Sequence, residues 1–371
     1  MMTKNYELIY KLSKRTRNIV SRGIGNISNY NFFLNKIETI FKPSNLENWI
    51  TEETKFMDPL SIINFRRNLI CKGLINKPHE PKGFFLRYSQ IKDVTRKHHN
   101  FFSIFFSKSL FLELRILLQS INPRYQKKIK SRYLNLLKEV NELPNMHNVA
   151  ERIFKGDNSI GNPHKIYIKK NKFFITESFL RHSEYLIKVI KSINLQNINK
   201  VLEISPGYGG FTEILINSIS NIEEVFLIDF PQRLNLAGFY LSESINQEWR
   251  FKYYKKINPV ETDLKQRRDG KYVNLISIED SLNFFNNNKD KIDLIINTHS
   301  LQEMSNEQIS FYAKNINLIK PKNFISINRD KLIKDKVSKP NQILVNELSE
   351  GYSCKSLVVD KYFTLTQFTK K

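Results

Sequence analysis

The sequence predicts an α/β protein in which a doubly wound, mostly parallel sheet follows a mainly helical N-terminal region. Two observations predict the sheet. After residue 196, short apolar runs that end in polar residues alternate with stretches in which apolar residues recur every three or four positions. A glycine-rich turn at 207–210 joins the first apolar run to a helical stretch, so backbone N–H groups and a helix N-terminus would face a ligand there.

The chain divides into three parts by composition and pattern. Residues 1–155 form a basic, mainly helical region that we expect to bind an acceptor or to mediate the formation of a homo-oligomer. Residues 156–195 form a linker that begins with turn-forming residues. Residues 196–371 contain the apolar runs and form the predicted sheet domain.

The individual elements follow from the same patterns in chain order. Helices are predicted in the N-terminal region over 31–41, 60–71, 100–120 and 125–143. The linker is predicted to contain a hairpin over 164–168 and 173–175, and then a helix over 177–193. Five strands are predicted in the sheet domain, over 201–202, 225–228, 272–276, 292–297 and 324–327, together with an edge strand over 362–368. After the fourth strand, a helix carries apolar positions at Ile309, Tyr312, Ile316 and Ile319 and is stopped by Pro321.

Two acidic residues near the glycine turn indicate the kind of ligand. Asp229 ends the second strand, where a carboxylate can accept hydrogen bonds from both hydroxyls of a ribose. A dinucleotide loop would need a third glycine three residues after Gly209, but Thr212 stands there. Glu203, at the mouth of the loop, would repel a pyrophosphate and would suit a cationic group such as the amino group of a methionine moiety.

The segment E-I-S-P-G-Y-G-G resembles motif I (E/D-x-G-x-G-x-G) of the class I S-adenosylmethionine methyltransferases, with Ser205 in place of the first glycine. Together with L-I-D-F-P-Q-R-L-N-L-A and I-I-N-T-H-S-L-Q-E-M, it resembles a family of bacterial sugar O-methyltransferases over roughly residues 160–330. The resemblance implies a Rossmann-like methyltransferase sheet and S-adenosyl-L-methionine as methyl donor. It also implies that the cofactor is bound by Glu203, Gly207, Tyr208, Gly209, Asp229, Ser277 and Asn297.

Methyl transfer to an alcohol requires a base, because a neutral sugar hydroxyl is a poor nucleophile. His299 follows the fourth strand, where the methyl group points in this fold, and the ordinary pKa of histidine suits a proton acceptor. Glu303 could orient that imidazole or serve as the base itself. The alternative is that His299 caps the following helix or packs against the sheet. No metal site is predicted, since Asp293 lies within a strand and Asp330 has no carboxylate close to it in sequence.

The charge of the chain is unevenly distributed. The net charge is +23, and Lys and Arg outnumber Asp and Glu by 35 to 15 in residues 1–195 but by only 24 to 21 in residues 196–371. Such a basic region indicates an anionic partner: a phosphorylated or nucleotide-linked glycan, nucleic acid or a membrane surface. The alternative is a solvated basic face without a partner.

Cysteine usage and hydropathy suggest a cytoplasmic protein. The two cysteines, Cys71 and Cys354, are far apart and belong to no C-x-x-C pattern, as expected in a reducing compartment. The first residues lack an apolar signal core, and no stretch reaches the ~20 uninterrupted apolar residues of a membrane span.

These observations lead to one functional hypothesis and two alternatives. The hypothesis is an S-adenosylmethionine-dependent O-methyltransferase that modifies a sugar hydroxyl in glycan, polysaccharide or glycoconjugate biosynthesis. The first alternative is an RNA ribose methyltransferase that grips its substrate with the basic region. Base methylation is disfavoured, because Asn-Thr-His-Ser replaces the N/D-P-P-aromatic turn after the fourth strand, and neither cysteine follows a proline. The second alternative is a non-catalytic binding module on the same fold.

Overall fold

The computed structural model describes Arg66 and residues 122–144, 146–161, 163, 165–169, 173–254, 260–261, 270–278, 280–329, 340–358 and 363–371. Apart from Arg66, the helices predicted over 31–41, 60–71 and 100–120 lie outside these residues, as do Cys71 and Asp330.

Among the described residues, two helices, a hairpin and a third helix precede the sheet. They are α1 (Pro123–Asn141), α2 (His147–Phe154), β1 (Ile166–Lys169), β2 (Phe173–Ile175) and α3 (Glu177–Ser192). Local sequence sets the helix starts: the Asn122 side chain accepts hydrogen bonds from the backbone N–H groups of Arg124 and Tyr125 in α1. The Thr176 side chain accepts one from Phe179 N–H in α3. The antiparallel pairing of β1 with β2 confirms the predicted hairpin.

Nine strands of the described part of the chain form one sheet. They are β3 (Lys200–Ile204), β4 (Glu224–Asp229), β5 (Trp249–Tyr254), β6 (Val260–Glu261), β7 (Lys271–Ser277), β8 (Leu294–Thr298), β9 (Asn323–Arg329), β10 (Tyr352–Val358) and β11 (Phe363–Lys370). Their order is β10-β11-β9-β8-β3-β4-β7-β5-β6, and the strands from β9 to β5 run parallel. From β3 the chain winds first towards β4 and β7 and then back to β8 and β9. This is the predicted doubly wound, Rossmann-like sheet, with its switch point between β3 and β8.

In the described part of the connections, five α-helices lie between the strands: α4 (Gly210–Ser218), α5 (Pro231–Ser244), α6 (Ser281–Asn287), α7 (Asn306–Ile319) and α8 (Pro340–Leu348). Alternate strand residues face the two sides of the sheet. On β3, Val201 packs into the core with α1 to α5, whereas Leu202 packs into the core with α6 to α8. The described residues before the sheet therefore share one hydrophobic core with it. None of the described helices is long and apolar enough to cross a membrane.

The prediction that residues 362–368 form an edge strand was wrong. β11 lies between β9 and β10 and is hydrogen-bonded on both sides, with Leu365 opposite Ile327 on one side and Leu357 on the other. Alternation of apolar residues reports which faces of a strand are buried and says nothing about its neighbours within the sheet. The edge strand on this side of the sheet is β10. It was not predicted because its central residues 353–356, which are exposed, show no alternation of apolar and polar residues. Strands β5 and β6 and helices α2, α5, α6 and α8 were also not predicted.

A buried ion pair fastens α2 to α4 behind the glycine turn. The guanidinium of Arg152 donates hydrogen bonds of 2.7 Å to both carboxylate oxygens of Glu213, and a further one to the Gly156 carbonyl. The side chains are 9 % and 3 % exposed. Because Glu213 lies in the first turn of α4, the pair fixes the helix that begins at the glycine turn.

Candidate functional site

A cavity lies at the carboxyl edge of the sheet, beside the switch point, where ligands bind in doubly wound folds. Its volume is ≈ 260 Å³, just below the ~300–1,000 Å³ that is usual for small-molecule sites. The loops after β3, β4, β7 and β8 and the start of α7 form its walls. The lining residues are Ser205, Asp229, Phe230, Arg233, Ile278, Ser300, Glu303, Met304, Glu307, Gln308, Phe311 and Tyr312.

Asp229 stands where the sequence predicted, at the tip of β4 in the cavity wall. Its side chain is buried and accepts hydrogen bonds from the backbone N–H groups of Gly207 at 3.2 Å and Phe230 at 2.8 Å. Burial raises the pKa of the carboxyl group, while Arg233 and the two N–H groups oppose that rise. The contacts hold the carboxylate in place, and its remaining lone pairs can accept hydrogen bonds from a ligand.

The glycine turn needs glycine at two positions for different reasons. Gly207 has φ +61°, and a Cβ added there would have no atom of the described structure within 4 Å, so a ligand can approach the backbone closely. Gly209 has φ +84°, and a Cβ there would lie 3.1 Å from Leu241. Gly209 is also the N-cap of α4, so the N-terminus of that helix lies at the switch point.

Ser205, the one departure from motif I, has a backbone conformation that explains why glycine is usual there. Its φ is +56°, and its N–H donates to the Ile228 carbonyl at 2.7 Å. A left-handed conformation costs a non-glycine residue roughly 1–2 kcal/mol. The side chain lies in the cavity wall.

Replacing Ser205 by glycine is expected to change the free energy of unfolding by less than about 1 kcal/mol. Relief of the left-handed strain is offset by the greater freedom of glycine in the unfolded chain. Ser205→Val should instead lower it by more than about 1 kcal/mol, because β-branching disfavours this region further. Urea denaturation of the two variants measures the difference, and equal stabilities would show that the φ of this residue carries no strain.

Glu203 is buried beneath the glycine turn and faces α4. The Thr212 hydroxyl donates a hydrogen bond to Glu203 Oε2, and Glu203 Oε1 has no hydrogen-bond partner among the described residues. Burial raises the pKa of the carboxyl group to about 7; the Thr212 hydrogen bond lowers it and the neighbouring Asp229 raises it further. Thr212, which occupies the position of the missing third glycine, thus supports this acid. A cationic ligand group would compensate both the buried charge and the unpaired oxygen.

Glu203 should make the stability of the ligand-free protein depend on pH. Its folded-state pKa of about 7 exceeds the ordinary value of 4.5, so the folded protein binds the proton more tightly. The stabilisation is present below the ordinary value and is lost as the pH rises through about 7. Glu203→Gln should remove this component. As the pH rises, the free energy of unfolding of the variant should therefore fall less than that of the parent. Urea denaturation at several pH values across this window tests it, and parallel curves for the two proteins would contradict it.

The Tyr208 ring lies on the side of α3 and α5 and is not among the cavity-lining residues. It packs edge-on against Tyr240 with ring centroids 5.0 Å apart, and the Arg66 guanidinium lies 5.6 Å from its centroid. Arg66 is itself held by a buried ion pair with Asp157. A Cβ on Gly210 would lie 2.5–2.7 Å from the Tyr208 ring, so glycine at 210 makes room for this ring. Residues far before the sheet thus contact the glycine turn.

Ser277 and Asn297 shape the strand ends. The Ser277 hydroxyl donates to Asp280 Oδ2 at 3.1 Å, while the next residue, Ile278, lines the cavity. The fully buried Asn297 amide donates to the Ile204 carbonyl at 2.9 Å and accepts from Asn328 Nδ2 at 2.8 Å. Asn297 therefore ties β3, β8 and β9 together, and it also donates to the hydroxyl of the lining residue Ser300.

His299 and Glu303 have different surroundings. His299 has φ +64°, an unusual backbone conformation of the kind that concentrates at functional sites. Its ring is stacked on Phe363 at 4.0 Å, and Nε2 is hydrogen-bonded to the hydroxyl of Tyr185 on α3. Glu303 ends a short 3₁₀ helix, is exposed and lines the cavity, which His299 does not. In the sequence, Tyr185 is one aromatic position within a helix, and nothing there indicates its contact with His299.

Tyr312 was predicted only as an apolar position of α7. Its side chain is 2 % exposed and lines the cavity, and its hydroxyl has no hydrogen-bond partner among the described residues. No group of three or more His, Cys, Asp or Glu side chains in the described part of the chain could hold a metal ion.

No protein-family model matches the sequence. The ribosomal RNA small subunit methyltransferase A of Malacoplasma penetrans (strain HF-2) is 28 % identical over 111 residues, which is 29 % of this chain and 37 % of that protein. The match thus spans little more than a third of that relative.

Among solved structures, a SAM-dependent methyltransferase from Aquifex aeolicus aligns with 50 % of this chain and 88 % of its own, at 15 % identity and a TM-score of 0.33. The magnesium protoporphyrin IX methyltransferase of Synechocystis PCC 6803, solved with bound SAH, aligns with 52 % of this chain and 83 % of its own, at 12 % identity and a TM-score of 0.36. The methyltransferase domain of bacterial CtHen1 aligns with 50 % of this chain and 97 % of its own, at 14 % identity and a TM-score of 0.35. Sequence identities and TM-scores this low do not establish an activity for this chain.

Proposed function

We propose that this protein is an S-adenosylmethionine-dependent methyltransferase that methylates a hydroxyl group of a sugar. The main support is the pair of buried carboxylates beside the glycine turn. Asp229 lines the cavity at the tip of β4, and Glu203 lies beneath the turn with one oxygen that has no partner in the described part of the chain. A ligand that carries a ribose and a cationic amino acid end satisfies both acids. When bound, S-adenosylmethionine supplies an activated methyl group on a sulfonium.

The cavity offers distinct surfaces to the parts of this cofactor. Asp229 would accept hydrogen bonds from the ribose hydroxyls, and the apolar side chains of Phe230, Ile278 and Met304 would enclose the adenine. Glu203, which lies beneath the glycine turn and outside the cavity lining, would bind the amino group through Oε1, the oxygen without a partner among the described residues. The lining holds three carboxylates against one guanidinium, a charge balance that opposes the pyrophosphate of a dinucleotide.

Two side chains are candidates for the base that accepts the hydroxyl proton. In the transfer, a sugar oxygen forms a bond to the methyl carbon as the carbon–sulfur bond breaks, and the hydroxyl proton passes to a base. His299 is our first candidate, held by Tyr185 and Phe363 just past β8. Glu303, in the cavity wall, is the second. We expect His299→Gln to abolish methyl transfer while it retains cofactor binding, and Glu303→Gln to retain both. The opposite result would assign the base to Glu303.

Calorimetry with S-adenosylhomocysteine, NAD and ATP tests the cofactor. We expect S-adenosylhomocysteine to bind and the two phosphate-bearing ligands to bind far more weakly; the reverse order would overturn the proposal. Incubation with S-adenosylmethionine and a panel of nucleotide-linked and free sugars, followed by mass spectrometry, tests the acceptor. The expected product carries one added methyl group on a sugar hydroxyl.

RNA is a second candidate acceptor, favoured by the basic N-terminal region and by the partial match to a ribosomal RNA methyltransferase. In that case RNA should co-purify with the protein, and its affinity should fall steeply with salt concentration. A non-catalytic binding module would bind S-adenosylhomocysteine and transfer no methyl group to any of these acceptors.

A further inference from the structure

The Tyr312 hydroxyl is a polar group for which the fold alone supplies no reason. The ring packs edge-on against Phe285 in the core beneath α7, and a phenylalanine would fill the same space. A buried hydroxyl without a hydrogen-bond partner is destabilising, and native proteins keep few such groups. Tyr312 has no partner among the described residues.

A second observation points to a ligand: Tyr312 lies in the wall of the cavity that Asp229 also lines. Burial raises the pKa of the phenol, and the negative charge of Asp229 raises it further, so the hydroxyl stays protonated and can donate. The buried hydroxyl of Tyr352 on β10 also has no hydrogen-bond partner among the described residues, but Tyr352 does not line the cavity. The two tyrosines thus differ in their relation to the cavity.

The unpaired atoms of Tyr312 and Glu203 lie on opposite faces of the sheet. Tyr312 belongs to the core with α6 to α8, whereas Glu203 faces α4 on the other side and bonds to Thr212. A ligand that lies across the switch point can therefore meet each of them with a different end.

We infer that the Tyr312 hydroxyl binds the nucleoside end of the cofactor, by a hydrogen bond to a ribose or adenine heteroatom beside Asp229. The inference rests on the proposed cofactor and adds to it a residue that recognises the nucleoside. Glu203, on the opposite face, would recognise the amino acid end.

The test uses the full chain with Tyr312→Phe and, as a matched control, Tyr352→Phe, which removes a buried unpaired hydroxyl away from the cavity. The probes are S-adenosylhomocysteine and 5′-methylthioadenosine, which keeps the nucleoside and lacks the amino acid. We expect Tyr312→Phe to weaken both probes about tenfold, as loss of one hydrogen bond does, and Tyr352→Phe to weaken neither. Urea denaturation should show both variants folded.

Unchanged affinity in Tyr312→Phe would overturn the inference while leaving the cofactor proposal intact. So would an equal loss in the two variants, or a loss for S-adenosylhomocysteine alone, which would place the hydroxyl at the amino acid end. Failure of the parent protein to bind either probe would instead overturn the proposed function and the inference with it.

Discussion

Replacing Asp229 by alanine is expected to weaken binding of S-adenosylhomocysteine by about 100-fold or more. Hydrogen bonds to a charged group contribute roughly 1.5–3 kcal/mol each, and a ribose offers two hydroxyls to this carboxylate. Even the lower figure for two bonds, about 3 kcal/mol, corresponds to a factor of more than 100. Calorimetry of the parent and the variant measures the ratio of dissociation constants.

Asp293→Ala provides the matched control. Asp293 is also a strand-associated carboxylate that accepts backbone hydrogen bonds, from Asn199 and Lys200 at 3.0 Å, and it pairs with Lys322. It precedes β8 at the opposite edge of the sheet. Its removal should lower stability and leave the ligand affinity unchanged. Equal affinities for Asp229→Ala and the parent would remove Asp229 from the binding site.

Replacing Arg152 by methionine is expected to lower the free energy of unfolding by about 3–5 kcal/mol, as when one partner of a buried ion pair is removed. The Glu213 carboxylate would remain buried without its guanidinium, although Asn217 still donates one hydrogen bond of 2.8 Å. Burial already raises the pKa of Glu213, and Arg152 opposes that rise. The loss should therefore be smaller at low pH, where the unpaired acid becomes protonated. Urea denaturation at two pH values measures it.

Two further variants test whether the loss of stability in Arg152→Met comes from an unpaired buried charge. Arg132→Met breaks an Arg–Glu pair of similar geometry with Glu184, but that pair is 33 % and 27 % exposed, so the loss should be about 1 kcal/mol or less. The double variant Arg152→Met/Glu213→Leu removes both buried charges and should recover most of the stability. A double variant as unstable as Arg152→Met would show that the loss comes from packing and not from an unpaired charge.

Much of the sheet could be predicted from the sequence, because strand ends in a parallel sheet are marked by local patterns. Asp229 is recognisable at the end of an apolar run, and in the structure it lines the cavity. Order within the sheet is not local, which is why β11 was misplaced at an edge. β11 lies inside the sheet because it pairs with β10 as well as with β9. The central residues of β10, 353–356, are exposed, so β10 itself was not predicted.

Side-chain direction limited the prediction of the site. Tyr208 belongs to the glycine turn in sequence, yet its ring packs on Tyr240 away from the cavity. Tyr312 matched the apolar period of a helix, and only the tertiary structure shows that this residue lines the cavity and that its hydroxyl has no hydrogen-bond partner among the described residues. The contact of Tyr185 with His299 joins residues 114 positions apart, which no spacing rule links. Periodicity assigns residues to a face and does not say which polar atoms remain without partners.

A crystal structure of the protein with S-adenosylhomocysteine tests the central claim most directly, since the claim concerns which end of the ligand meets which acid. We expect both ribose hydroxyls within hydrogen-bond distance of the Asp229 carboxylate, with the amino group at Glu203 and the ribose close to the glycine turn. A nucleoside bound away from Asp229, or an amino acid end directed away from Glu203, would contradict the account.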